Sequence, residues 1–183
     1  MKYSDDYHDY VIKDGKFVGK FEKMYQDHES PWHQKDIKFQ SDRAVSIEYL
    51  RRIEKKDVGR GHNANDGINV LELGCGLGYF TEQIRQTLCN NSKILGIDIS
   101  ETAIKKAKER FTKCNFQAGD ILDFNIYKEF NPNVILMPQI TWYVLDKIKP
   151  LLEFLKNNYP NVIIIHNLVT YPKGVQQYNI RVK

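Results

Sequence analysis

From residue 68 onward the chain alternates short, nearly unbroken apolar runs with segments whose apolar positions recur every three or four residues. "INVLEL" predicts a strand, and "YFTEQIRQTL" a helix with Phe80, Ile84 and Leu88 on one face. "KILGID" predicts a second strand. "SETAIKKAKERF" follows as a helix capped by Ser100, with Ile104, Ala107, Lys108 and Phe111 at helical spacing. A short strand around "CNFQAG", a fourth in "PNVILM", a helical "DKIKPLLEFLKNN" and a fifth strand in "NVIIIHNL" complete the series. Pro150 predicts a break: a short turn to Lys149, then a helix with Pro150 in its first turn, because an interior proline costs about 3 kcal/mol. Strands that are apolar throughout, alternating with helices, belong to a parallel sheet covered on both faces. The predicted fold class is α/β with a doubly wound, mostly parallel sheet, and ligands in such sheets bind outside the carboxyl ends of the strands.

Upstream the pattern is weaker. Residues 1 to about 40 are polar and aromatic-rich without a clear period, which predicts irregular structure with short helical pieces lying over another part of the chain. "SDRAVSIEYLRRIEKKD" predicts a helix capped by Ser41, its stripe formed by Val45, Tyr49 and Ile53 and flanked by Ala44, Ile47 and Leu50. Residues 58–67, "VGRGHNANDG", read as a connection.

A length of 183 residues with 42% hydrophobic and 27% charged content predicts one globular domain. No apolar run approaches the roughly 20 residues needed to cross a bilayer, and the first residues have no signal-peptide pattern, so a cytoplasmic location is expected. Cys75, Cys89 and Cys114 lie far apart with no C-x-x-C pair, which supports neither a disulfide framework nor a metal site. The net charge of +4 comes from lysines and arginines interleaved with acids, as in "RRIEKKD". That is the pattern of solvated helix faces, not of a nucleic-acid stripe.

The chemistry concentrates in "NVLELGCGLGYF", where an apolar strand runs into Gly74, Gly76 and Gly78 just before a helix. Backbone N–H groups and a helix dipole meet there, the usual seat of a nucleotide-like ligand. A P-loop would need G-x-x-x-x-G-K-[ST], and no lysine follows Gly78. A dinucleotide loop would need a small residue at position 79, where Tyr79 stands; this disfavours a nicotinamide-dependent dehydrogenase. Cys75 reads as a small residue in a tight turn, without a redox or metal role.

Glu72-x-Gly74-x-Gly76-x-Gly78 after an apolar strand resembles motif I of the class I S-adenosylmethionine-dependent methyltransferases. Two further pieces of that family's pattern follow in order. "LGIDIS" places Asp98, with Ile99 after it, at the end of the second strand, 20 residues beyond Gly78; "FQAGDIL" places Asp120 and Ile121 after the third. The resemblance, covering residues 68–168, implies a Rossmann-like fold with S-adenosyl-L-methionine as cofactor. It implies that Glu72, Gly74, Cys75, Gly76 and Gly78 form the cofactor loop, with Glu72 toward the amino-acid part. It also implies Asp98 on the ribose hydroxyls, Asp120 beside the adenine, and Ile99 and Ile121 as apolar neighbours. As residues alone, Glu72 can instead be a strand-end carboxylate bonded to nearby backbone, Asp98 a helix cap and Asp120 a turn residue. After the fifth strand the family usually continues with a helix and two more strands, so the sheet is abbreviated or the chain a truncated piece. In either case a second copy or another partner is a candidate cover for the exposed sheet edge.

The acceptor side is encoded elsewhere. "LMPQITWYVL" follows the fourth strand, where the family places residues near the transferable methyl. Its "MPQI" lacks the polar residue and second proline of the [DNS]-P-P-[YFW] pattern of base-methylating enzymes, which argues against nucleic-acid methylation. Gln139 is a candidate for bonding cofactor or acceptor, and Trp142 and Tyr143 for walling the pocket or for plain aromatic packing. "MYQDHESPWHQKD" looks like the lid segment of some small-molecule and sugar methyltransferases, including the NodS-like group, and makes Tyr25, Trp32, His33 and Gln34 lid candidates. His33 and His166 are candidate general bases. The expectation is a single domain over 1–183, with lid and helix over 1–57 and a cofactor-binding core over 68–168. It moves a methyl group to oxygen or nitrogen of a small molecule, a metabolite or sugar. The alternatives are a methyltransferase-like module without catalysis and a nucleic-acid methyltransferase.

Overall fold

A computed structural model describes residues 9–13, 16–35, 41–57 and 67–168. The centre is a five-stranded, wholly parallel sheet of β3 (Asn69–Leu73), β4 (Lys93–Asp98), β5 (Asn115–Ala118), β6 (Val134–Pro138) and β7 (Ile163–Asn167), in the order β5-β4-β3-β6-β7. The chain winds outward from β3 through β4 to β5, then returns to lay β6 on the other side of β3 and β7 beyond it. That reversal beside β3 is the topological switch point, where a crevice opens at the strands' carboxyl ends.

Alternation along each strand explains the two layers. Val70, Ile94, Val134 and Leu136 face α2 (Ser41–Asp57) and α3 (Tyr79–Thr87), meeting Ile47, Leu50, Phe80 and Ile84. Leu71, Leu73, Ile97, Ile135 and Met137 face α5 (Phe124–Phe130) and α6 (Leu145–Asn158), meeting Ile126, Tyr127, Leu151 and Leu155. A slip of one residue in any of these strands would exchange its two faces. α4 (Glu101–Arg110) packs Ile104 and Ala107 on Phe116 and Cys75. Ser100 caps α4 as the sequence predicts, its hydroxyl accepting from Ala103 N–H at 3.0 Å.

Several local expectations are corrected. α6 runs through Pro150 without a break; Pro150 and Asp146, whose carbonyl the proline cannot serve, are both exposed, so the missing bond faces solvent. α2 is rotated from its predicted stripe: Ser46, Ile47 and Leu50 are buried, while Val45 and Tyr49 are 55% and 54% exposed. The short helix α5 had no periodic signal, having only seven residues; it is fixed by Asp123 at its N-terminus and by the Tyr127 hydroxyl, which donates to Ile121 O at 2.7 Å. The N-terminal part holds a two-stranded hairpin, β1 (Ile12–Lys13) and β2 (Lys16–Phe17), then α1 (Phe21–Asp27) and a tight turn at Pro31–His33. β7 is less covered than its apolar sequence suggests, with Ile163 and Ile164 exposed.

The Ser41 side chain, most of the 58–67 connection and the tail from 169 lie outside the described residues. Among the described residues no helix is long and apolar enough to cross a membrane.

Candidate functional site

The glycine loop leaves β3 and folds back on β4. The N–H groups of Gly74 and Cys75 both donate to Ile97 O, at 2.8 and 2.9 Å. Gly74, Gly76 and Gly78 all have left-handed backbone. All three are also sites of close approach, a Cβ at Gly74 lying 2.4 Å from Ile140 Cγ2; a Cβ at Gly78 would lie 2.5 Å from Phe116 Cζ, and one at Gly76 would lie 2.4 Å from Gln34 Nε2 and 2.6 Å from the Tyr25 hydroxyl. A side chain at any of the three is excluded twice, by torsion and by space.

Asp98, buried at the end of β4, ties the loop to the next helix: Oδ2 accepts from Gly76 N–H at 2.8 Å and Oδ1 from Ser100 N–H at 2.9 Å. Burial raises its pKa while these backbone donors act the other way. The carboxylate keeps acceptor capacity beyond its backbone donors, since an ionised carboxylate can take about four hydrogen bonds. Glu72, buried in β3, accepts from the Thr81 hydroxyl at 2.6 Å. Burial pushes its carboxyl up to about 7, against the Thr81 bond and the positive field of Arg43. Asp120, after β5, bonds Leu122 N–H at 2.9 Å and pairs with Lys147 from α6. Burial works against its charge, but Lys147 and the backbone donor prevail and lower its pKa.

These groups surround a cavity of about 410 Å³ at the strands' carboxyl ends. Its floor holds Glu72, Gly74, Cys75, Asp98, Ile99, Asp120, Ile121 and Gln139; Tyr25, Trp32 and Gln34 line it from the N-terminal segment and Tyr143 from the turn after β6. Gly76 and Gly78 shape the loop from behind. Gln34 bridges lid and loop, its Oε1 accepting from Leu77 N–H at 2.8 Å and its Nε2 donating to the Tyr25 hydroxyl at 3.3 Å. Two expected residues stand apart from the cavity lining: Trp142, and His166, which lies on β7 bonded to the Thr141 hydroxyl. His33 closes the Pro31–His33 turn, but its side chain is outside the described residues.

Sequence reasoning missed Phe17, Phe21, Arg43, Ile140 and Lys147, all of which line the cavity. The isolated aromatics at 17 and 21 were the available signal for the first two. Arg43 and Lys147 look like ordinary helix-surface charges until the fold turns them inward. The α1 helix is held by a clasp equally invisible in the sequence. The Glu22 carboxylate accepts from the Ser100 hydroxyl at 2.7 Å and from Thr102 N–H at 3.2 Å, and Lys106 Nζ donates to the carbonyls of Tyr25 and His28.

The residues present fit S-adenosylmethionine. The volume is that of an ordinary small-ligand site, which runs from about 300 to 1,000 Å³. A glycine turn admits close approach of a ligand, Asp98 offers acceptors for two hydroxyls, Ile99 and Ile121 offer apolar surface for a base, and Glu72 offers an anion for an ammonium.

Residues 64–179, well over half of the chain, match the family described as "Methyltransferase domain". Malonyl-[acyl-carrier protein] O-methyltransferase of Bacillus anthracis is 31% identical over 119 residues, which is 60% of this chain and 43% of that protein. The chain therefore spans less than half the length of this curated relative. Among solved structures, the DszA carbon methyltransferase aligns with a TM-score of 0.61 at 17% identity, over 80% of this chain and 40% of the other. The plantazolicin methyltransferase BpumL, in complex with a triazolic desmethylPZN analog and SAH, aligns with a TM-score of 0.51 at 22% identity, over 81% of this chain and 52% of the other. At these identities the structural likeness speaks for the fold alone. The family match, the order of the sheet and the loop bonded through Asp98 agree: the chain belongs to the class I S-adenosylmethionine-dependent methyltransferases.

Proposed function

We propose that the chain binds S-adenosylmethionine in the cavity beside β3 and transfers its methyl group to an oxygen or nitrogen of a small-molecule acceptor. The observation that carries this reading is the convergence of the glycine loop, Glu72, Asp98 and Asp120 on one cavity that the N-terminal segment covers. The bound cofactor supplies an electrophilic methyl on a sulfonium, so the protein's work is to bind, align and exclude water. Asp98 takes the ribose hydroxyls, Glu72 the amino-acid end, and Asp120 with Ile99 and Ile121 the base. Gln139, just after β6 with its backbone turned left-handed, lines the same cavity and is the candidate for bonding cofactor or acceptor. Tyr25, Trp32, His33 and Gln34 form the lid, whose closure removes water from the reacting centre. Of the two candidate general bases for an O–H acceptor, His33 is carried on that lid and His166 lies on β7, bonded to the Thr141 hydroxyl.

In this reading the chain works as one domain, with residues 1–57 serving the core of 68–168. The name of the Bacillus anthracis relative, an O-methyltransferase, favours oxygen over nitrogen. The free thiols of Cys75, Cys89 and Cys114 accord with a reducing, cytoplasmic setting. The test is calorimetric titration with S-adenosylhomocysteine. Dissociation constants in the micromolar range are expected, about 8 kcal/mol of binding free energy, with Asp98→Ala weaker by tenfold or more, about 1.4 kcal/mol. Absence of binding, or equal binding by the variant, would sink the reading.

A further inference from the structure

One wall of the cavity has no part in the cofactor assignments above. Phe17 from the hairpin, Phe21 from α1, Trp32 from the lid turn and Tyr143 from the turn after β6 all line it. Tyr143 is the hub: its ring centroid is 6.4 Å from Phe17 with the planes 21° apart, 5.5 Å from Phe21 edge-on, and 5.7 Å from Trp32. Phe17 remains 55% exposed although two aromatic neighbours, Phe21 and Tyr143, are at hand, so its ring presents a face that packing alone leaves open.

Backbone geometry marks the same place from both sides. Trp32, in the lid, has φ 63°, and Gln139, at the end of β6, has φ 58°. Both are left-handed residues without the excuse of glycine, and both line the cavity; the third such residue among the described residues, Asn131, merely ends α5. Unfavourable backbone of this kind persists where the surroundings hold it and collects at ligand sites.

Resting on the proposed methyltransferase activity, we infer that this wall is the acceptor subsite and that the acceptor is a flat, uncharged aromatic or heteroaromatic ring bearing the hydroxyl or amine to be methylated. Four aromatic rings offer π faces, which suit another ring stacked or edge-on. A polar sugar, whose hydroxyls need partners all round, finds few here. A cationic acceptor would suit π faces, but it would be set beside the positive sulfonium and would lack a free lone pair. An anionic acceptor would need an uncommitted cation, whereas Lys147 is paired with Asp120 and Arg43 lies in the field of Glu72.

The test compares three uncharged probes by calorimetry, with and without saturating S-adenosylhomocysteine: β-naphthol, its saturated counterpart decahydronaphthol, and methyl glucoside. β-Naphthol is expected to bind at least about tenfold more tightly than either of the others, and Tyr143→Leu and Trp32→Leu each to weaken it by about tenfold. Circular dichroism reports whether each variant is folded. Equal binding of decahydronaphthol, preference for the glucoside, or β-naphthol binding that neither variant changes would overturn the inference. Failure of S-adenosylhomocysteine alone to bind, with β-naphthol still held by Tyr143, would overturn the cofactor reading and leave the aromatic subsite standing.

Discussion

At the scale of single residues, Glu72 has the most consequential chemistry. Its carboxyl titrates near 7 because it is buried, while the unfolded chain would titrate it near 4.5. Between those values the folded state holds a proton that the unfolded state has lost, so this residue's contribution to stability falls as pH rises from 4.5 to 7. The full range corresponds to about 3 kcal/mol. Glu72→Gln should remove that slope, measured as the difference in denaturation midpoint between pH 5 and pH 8 for variant and parent; identical slopes would show that Glu72 does not titrate there. Binding has the opposite sign. An ammonium placed beside Glu72 favours the carboxylate, so S-adenosylhomocysteine titrated at pH 6 should release a proton from this group, and affinity should rise toward pH 8. Calorimetry in two buffers of different ionisation enthalpy reads the release directly, and equal heats in both would refute it. Gly78 makes a simpler case. It caps α3 with φ 78°, and a methyl there would meet Phe116. Gly78→Ala should therefore cost more than about 1 kcal/mol in denaturant unfolding.

At the scale of elements, the core was legible and the cover was not. β3, β4 and β6 and the helices α3 and α4 were readable because their burial is repetitive: each of these strands is apolar on both faces and each helix on one. Asp98 and Asp120 were readable because they sit at fixed places relative to the sheet's strands. Pro150 misled because the cost of an interior proline is local, while whether a helix tolerates it depends on which face the orphaned carbonyl meets. Val45 and Tyr49 misled because a broad apolar stripe does not say which of its edges the sheet will take. The N-terminal elements escaped because they are short and held by contacts far along the chain, such as Glu22 with Ser100 and Thr102, 78 and 80 residues away. That clasp yields its own prediction. The Glu22 carboxyl titrates near 2, burial opposing its charge but the donors of Ser100, Thr102 and Gln26 prevailing. Its bonds to α4 thus persist through any physiological pH and weaken only as pH falls from 4.5 toward 2. Glu22→Ala should free α1 without unfolding the sheet, raising amide exchange over residues 16–35 while β3 and β4 stay protected. Uniform loss of protection across the sheet would instead make the clasp part of the global fold.

At the scale of the whole molecule, cofactor and lid should act as one cooperative system. The Asp98 bond to Gly76 N–H, the Gln34 bond to Leu77 N–H and the Tyr25 hydroxyl above Gly76 join β4, the loop and the N-terminal segment around the cavity. A ligand seated there touches both the sheet and its cover, so it binds the folded chain and has nothing comparable to hold in the unfolded one. At a free concentration 100 times its dissociation constant, S-adenosylhomocysteine should stabilise the protein by about 2.7 kcal/mol. For a chain of this size each kcal/mol moves the midpoint by about 2–4 °C, so a rise of roughly 5–10 °C is expected in a thermal melt. The lid separates two versions of that rise. If the segment over the loop takes part, Gln34→Ala lowers the shift at the same ligand concentration, because affinity for the closed state is lost along with the Leu77 bond. If the sheet end alone holds the ligand, the shift in Gln34→Ala equals that of the parent, and the covering role assigned to the N-terminal segment falls while the cofactor site remains.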